Sequence, residues 1–339
     1  MKKFAIAIVM LLGAIFIIAQ LSEVGSIIET IQHGDWRFIG LSILLIVLWL
    51  LTNAASYKII FLGTGIKEKL EKLILLAAAS NFLNIVAPTA GMSGMAIFIS
   101  EARRRGYSTG MVTVAGVLFT LFDYAAFLLI LSAGLIVLIR RGHLNVPEII
   151  ATLVLLLVAS TMAYLLYLGT QSAEKLSLAL NWLIRAANKI LRPFIHRDYL
   201  SEQRAIGFAH EASDGLRALP RRPVFIILPF LLALTSKIIL MVILMLMFLA
   251  FQVPFTLGTL IAGFSLGYLL LIVSPTPAGI GFVEGGLTLA LSTLQVPLGQ
   301  AAVIALAYRG ITFWLPLLFG IYAFRFITNS RVPEPASLD

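Results

Sequence analysis

Four ionisable residues stand inside apolar runs of this sequence. Asp123 lies near the middle of the run 111–139, Lys237 at the middle of 223–250, Arg309 within 299–327, and Glu284 just after a Pro/Gly-rich interruption. A lone charge at the centre of a spanning helix costs ~2.5–3.5 kcal/mol to insert, so four facing lipid would cost roughly 10 kcal/mol. They must therefore face inward. Two acids and two bases leave two readings open: structural pairs that neutralise one another, or a site that holds something polar. A buried pair kept only for packing can be replaced by apolar residues at little loss, which argues for the second. Arg309 and Lys237, with the N–H groups of a half-helix starting near Gly279 or Gly281, suit a phosphate oxyanion. Glu284, in the first turn of that half-helix, fits its positive end and would hold Arg309 when no ligand is bound. Asn81 and Asn84, one turn apart, either hydrogen-bond a broken backbone or meet a polar head group.

Two interruptions position these residues. Ile85-Val86-Ala87-Pro88-Thr89-Ala90-Gly91-Met92-Ser93-Gly94 is echoed by Ile272-Val273-Ser274-Pro275-Thr276-Pro277-Ala278-Gly279-Ile280-Gly281. Helix backbone is abandoned at membrane depth only where protein or a water-filled cavity satisfies the freed groups. Matching breaks in two halves of a chain point to a binding site between them. The expected breakers are Pro88, Gly91 and Gly94 in the first copy, and Pro275 and Pro277 with the two glycines in the second. Aligning Ala90 with Ala278 places Arg309 opposite Leu121 and Asp123 opposite Ile311, on near-equivalent turns. A kink in an ordinary crossing helix remains the alternative to a hairpin at each break.

The elements around the breaks belong to an all-α polytopic membrane protein. The 339 residues are 60% hydrophobic and 12% charged, with a mean hydropathy of +1.00. That apolar surface exceeds what a soluble core would hide. Runs at 4–21, 38–62, 111–139, 147–169, 223–250 and 299–327 each reach the ~17 residues that a ~30 Å hydrocarbon core requires. The run from Phe4 is read as a helix rather than a cleaved signal. The broken runs 69–105 and 256–294 complete the set. Lys67, Lys69 and Lys72 precede the first and Arg103, Arg104 and Arg105 follow it, so the positive-inside rule puts both its ends in the cytoplasm. Only a hairpin meets that requirement.

Six spanning helices plus two re-entrant hairpins then form an inverted-topology repeat with both termini cytoplasmic. Residues 1–140 make the first repeat, 141–327 the second, and 328–339 a cytoplasmic tail. Arg140 and Arg141 fall outside and run against the scheme. Residues 170–222, inserted in the second repeat, carry nine Lys/Arg. Leu176, Leu180, Leu183, Ile184 and Ala187 recur at helical spacing there, as in a helix lying among anionic head groups.

Other chemistry finds little support. His33, His143, His196 and His210 show no metal spacing, the chain has no Cys, and no phosphate-binding P-loop occurs. No metal or cofactor is expected. The basic residues cluster where anionic lipid suffices as partner, so no nucleic acid is expected.

The second-half residues resemble a family. Ser274-Pro275-Thr276-Pro277-Ala278-Gly279-Ile280-Gly281-Phe282-Val283-Glu284, then Tyr308-Arg309, Trp314-Leu315-Pro316 and Gly320, look like the C-terminal signature of the lysylphosphatidylglycerol synthase transmembrane-domain family. The Asn84-to-Gly94 break and Arg105-Gly106 fit its N-terminal part. Members include the flippase portion of enzymes that make and translocate aminoacylated phosphatidylglycerol, and stand-alone relatives implicated in moving other lipids. The resemblance implies a lipid translocator of the inner (cytoplasmic) membrane. It implies no synthase activity, because the chain stops at Asp339 where larger members continue into an aminoacyltransferase domain. After the first break Met95-Ala96-Ile97 intervene before Glu101 and Arg103, where members often place an acid and an Arg sooner.

Three functions follow from these residues. A flippase would take an anionic phospholipid or other polar-head lipid between the hairpins, with Arg309 and Lys237 on the head and Glu284 and Asp123 resetting them. A proton-coupled secondary transporter would carry a small anion or metabolite. A membrane scaffold would bind a partner through 170–222 and transport nothing. A homo-oligomer is compatible with all three.

Overall fold

Backbone inside lipid must satisfy its own hydrogen bonds, and helices do this locally. A computed structural model describes residues 27, 30–86, 92–142, 144, 146–195, 202–217, 219, 222–274 and 276–329. Among them there is no strand, and the chain is an all-α polytopic membrane protein. Five stretches are long and apolar enough to span a membrane. They are α1 (Trp36–Gly63), α4 (Thr109–Arg141), α5 (Val146–Gln171), α8 (Val224–Ala250), and α11 (Leu298–Arg309) continuing into α12 (Leu315–Asn329). The sixth expected span, 4–21, lies outside the described residues, as does the tail from 330.

The broken runs are pairs of antiparallel helices. The first comprises α2 (Leu70–Val86) and α3 (Met92–Arg104), and the second α9 (Leu257–Val273) and α10 (Phe282–Thr293), with a short turn at Pro277–Gly279 between them. Ionic contacts close the first pair at its open end. Lys72 bonds Glu101, and Arg105 Nη1 lies 3.1 Å from Glu68 Oε2. Apolar interdigitation closes the second: a Cβ on Gly263 would meet Leu291 and Leu294, one on Gly267 would meet Leu287, and one on Gly286 would meet Leu270. Each chain segment thus returns to the end from which it started. A kinked crossing helix would carry its ends apart.

Packing between the halves is reciprocal. α1 lies along α8, α2 along α12, and α9 along α4. Small residues set the last two distances. A Cβ on Gly320 would stand 2.7 Å from the Ala78 carbonyl oxygen and 2.6 Å from Phe82 Cβ, and one on Gly134 would stand 2.3 Å from Ser265 Oγ. Close approach of this kind is how helices associate where lipid offers no hydrophobic driving force. The core between α1 and α8 is filled by Ile39, Ile46, Ile243, Leu244, Met247 and Phe248.

The expected single helix 299–327 departs from regularity in its middle. A π turn, Gly310–Trp314, separates α11 from α12. Pro316 follows two residues later and has no N–H to give to the Thr312 carbonyl, so the regular ladder fails here. Thr312 Oγ1 donates back to the Tyr308 carbonyl at 2.8 Å.

Among the described residues the inserted segment is built of two helices. It forms α6 (Ala173–Ile195) and α7 (Glu202–Arg217), which pack on each other. α7 docks on two helix ends. Glu211 accepts from the Gly110 N–H at 2.7 Å at the start of α4, while Ser213 and Arg217 donate to the carbonyls of Gly169 and Gln171 at the end of α5. These are groups a helix cannot satisfy internally. On α6, Leu176 is buried against α7, whereas Leu178 and Trp182 are exposed.

Arg141, out of place by charge, has a structural partner. Its guanidinium donates to Thr256 Oγ1 at 2.8 Å and Thr259 Oγ1 at 3.3 Å, tying the end of α4 to the first turn of α9.

Gly320→Ala should lower stability by ~1–3 kcal/mol, since the new methyl meets a backbone carbonyl that cannot turn aside. Gly299→Ala, with nothing within 4 Å of the new atom, should cost nothing in the same thermal melts. Glu101 supplies a pH test. Burial raises its carboxyl, but the hydrogen bond and charge of Lys72, with Arg104 and Arg105, outweigh that and hold it below the ordinary value. Its folded-state value is depressed, so its contribution is present at neutral pH and lost on acidification through and below the ordinary carboxylate range. Wild type should lose its melting-temperature advantage over Glu101→Gln across that window.

Candidate functional site

The second break bends because of what its residues allow. Ala278 (φ 54°), Gly279 (φ 79°) and Gly281 (φ 72°) all adopt left-handed backbone. A Cβ on Gly279 would also stand 2.4 Å from Val283 Cγ2, so glycine is required there on two counts. Ser274 Oγ accepts from the Thr276 N–H at 3.2 Å, and the Gly279 N–H donates to the Thr276 carbonyl at 3.1 Å. The Gly279 amide is thus bonded within the turn. α10 starts at Phe282 with Gly281 as its N-cap and no side chain capping it.

Arg309 binds this break directly. Its Nε donates to Glu284 Oε1 at 2.6 Å and its Nη2 to the Ala278 carbonyl at 2.9 Å, with the guanidinium 4.5 Å from the Phe313 ring centre. Arg309 is 4% exposed and Glu284 7%. Glu284 Oε2 is buried without a hydrogen-bond partner among the described residues. The arginine also lines a cavity of about 260 Å³ with Trp49, Asn81, Asn84, Tyr268 and Tyr308.

Lys237 and Asp123 form a second buried pair. Lys237 Nζ lies 2.5 Å from Asp123 Oδ1 and donates to Tyr268 OH at 2.5 Å, and that hydroxyl donates to Asp123 Oδ2 at 3.2 Å. The triangle joins α8, α4 and α9. It borders a cavity of about 250 Å³ that also meets Asn53, Tyr57 and Ser80. Trp49, Asn81, Asn84 and Tyr268 belong to the walls of both cavities. The four intramembrane charges are thus brought to one region but not to one pocket: Arg309 and Lys237 occupy adjacent chambers, each already paired.

The asparagines divide their work. Asn84 Oδ1 accepts from the Gly94 N–H at 2.7 Å, so it satisfies backbone just beyond the first break. Gly94 must be small, since a Cβ there would stand 2.3 Å from Ser80 Oγ and 2.6 Å from Asn84 Nδ2. Asn81 lines both chambers. Pro88, Gly91 and Pro275 lie outside the described residues, and Pro277 is described in its backbone alone. No group of three or more potential metal ligands occurs among the described residues.

Trp49 and Tyr268 went unpredicted. Trp49 Nε1 is buried without a hydrogen-bond partner among the described residues. An aromatic residue within an apolar run carries no signal by type alone. Tyr268 stands only six positions before Ser274, which was the available clue.

Residues 4–320 match the family described as the lysylphosphatidylglycerol synthase TM region. The chain belongs to that family. No curated protein matches it. The family match covers both broken hairpins and every charge just described, so this membership describes the whole membrane unit rather than one motif.

Removing one partner of a buried pair leaves an uncompensated charge, which costs ~3–5 kcal/mol. Lys237→Met should therefore destabilise strongly, and Lys237→Met with Asp123→Leu should recover most of the loss in thermal melts. If the double variant is stable yet inactive in transport, the pair serves function rather than folding.

Proposed function

We propose that the protein is a flippase-like lipid translocator that moves a polar-head lipid, such as an anionic phospholipid, between leaflets. The observation that carries this reading is Arg309. It is an intramembrane guanidinium that holds a broken half-helix together while lining a cavity, and the cavity shares four wall residues with the chamber of Lys237 and Asp123. A head-group phosphate arriving there would compete with Glu284 for Arg309, then with Asp123 for Lys237, while its tails remained in the bilayer. Exchanging one charge partner for another avoids leaving a bare ion in low dielectric.

An inverted-topology repeat supports alternating access in this reading. Ala278 follows Ala90 by 188 positions (278 − 90), and the same shift carries Trp36–Gly63 to 224–251, Leu70–Val86 to 258–274 and Thr109–Arg141 to 297–329. The helices found there are Val224–Ala250, Leu257–Val273 and Leu298–Asn329. The hairpins would enter from opposite faces of the inner (cytoplasmic) membrane, with both termini cytoplasmic and no enzymatic step. The Lys237–Asp123–Tyr268 triangle gives a second reading, proton-coupled transport of a small anion, some footing.

In reconstituted vesicles Arg309→Ala and Glu284→Ala should abolish movement of a labelled anionic phospholipid; because each leaves its partner charge unpaired, thermal melts of both beside an Arg309→Met, Glu284→Leu double variant separate loss of transport from loss of fold. Wild-type rates in both would sink the assignment. Native mass spectrometry of gently solubilised protein should show a retained lipid, and a water-soluble anion in its place would favour the second reading.

A further inference from the structure

A groove runs along the outside of the second hairpin. α5 is a spanning helix with only 11% of its apolar window buried, so it stands largely in lipid. Between it and the hairpin lie two apolar cavities of about 330 and 750 Å³ that share Pro147, Ala151 and Val273. The first reaches Glu148 and Thr293 near the open end of the hairpin; the second reaches Val158 and Tyr124. Together they follow α5 from its first turn to the level of the break.

The wall between groove and polar chambers is one helix thick. Neighbouring residues face opposite sides of it: Tyr124 meets the groove and Asp123 the Lys237 chamber, Leu269 the groove and Tyr268 both chambers, Phe282 the groove and Val283 the Arg309 chamber. A strip of apolar surface open to the bilayer therefore ends at the backbone break whose far side is held by Arg309.

We infer that this groove seats the acyl chains of the lipid whose head group is handled at Arg309, with α5 as its outer wall. The inference rests on the lipid-translocation reading and specifies where the tails travel. Acyl chain is the occupant because the groove is apolar and lies along a helix that itself stands in lipid. Ile27 and Ile31, just ahead of α1, pack away from the groove on Gly310, where a Cβ would meet them at 2.7 and 3.1 Å.

The test uses full-length protein in phosphatidylcholine nanodiscs containing acyl-spin-labelled phosphatidylglycerol, together with flipping of a long-chain phosphatidylglycerol reporter in vesicles. Wild type should show a motionally restricted lipid component. Ala151→Trp and, as a milder filling, Val154→Phe should lose it and slow flipping about tenfold. Leu157→Trp, on an exposed position of α5 away from the groove, should change neither, and melting curves establish that each variant is folded. The groove assignment is overturned if the restricted component survives both fillings, or if it is lost while flipping continues at the wild-type rate. Flipping that survives Arg309→Ala but not the groove fillings would remove the head-group reading and leave the groove standing.

Discussion

Everything about the second half of this protein depends on how one interrupted helix is kept from unravelling in lipid. Freed backbone groups at that depth cost several kcal/mol each when unsatisfied. Arg309 answers that constraint by donating to the Ala278 carbonyl, and its own charge is answered by Glu284 from the first turn beyond the break. Carbonyl, guanidinium and carboxylate are thereby linked, with one carboxylate oxygen left over among the described residues. A group that captures Arg309 acts on the hairpin as well, because the same side chain neutralises a ligand and fastens the turn. The π turn after Arg309 lets the helix carry this residue just ahead of Pro316.

The first half meets the same constraint with neutral groups. Asn84 accepts from the Gly94 amide, and no charge is spent at that break among the described residues. Charge appears instead at the open end of that hairpin, where Glu68 and Glu101 meet Lys72 and Arg105. The two broken runs are therefore both antiparallel helix pairs but differ in chemistry. Asp123, on α4, looks across to Lys237 on α8. Polar recognition is concentrated around α8, α9 and α11.

Much of this was legible in sequence. Long apolar runs mark spans within a few residues because bilayer thickness imposes their length, and Pro/Gly clusters mark the breaks because helix cannot continue through them. Lysines and arginines flank both ends of 69–105, and ionic contacts bring those ends together. Intramembrane charges stood out by cost. What could not be read was pairing: nothing in the spacing of Lys237 and Arg309 says that they face separate chambers, since that depends on how α8 and α11 rotate about their axes. Trp49 and Tyr268 were hidden because aromatic residues are ordinary in such helices. Arg141, which runs against the charge scheme, also bonds Thr256, a contact that no charge rule announces. The docking of α7 was hidden because its partners include backbone groups at distant helix ends, invisible to any periodicity.

That docking has a mechanical consequence. α5 is thinly packed along its length, yet Ser213 and Arg217 of α7 hold its final turn, and Glu211 of the same helix holds the start of α4. The last turn of α5 and the first turn of α4 are thus fastened to one and the same short helix, so any displacement of the basic insertion is felt by both spans together.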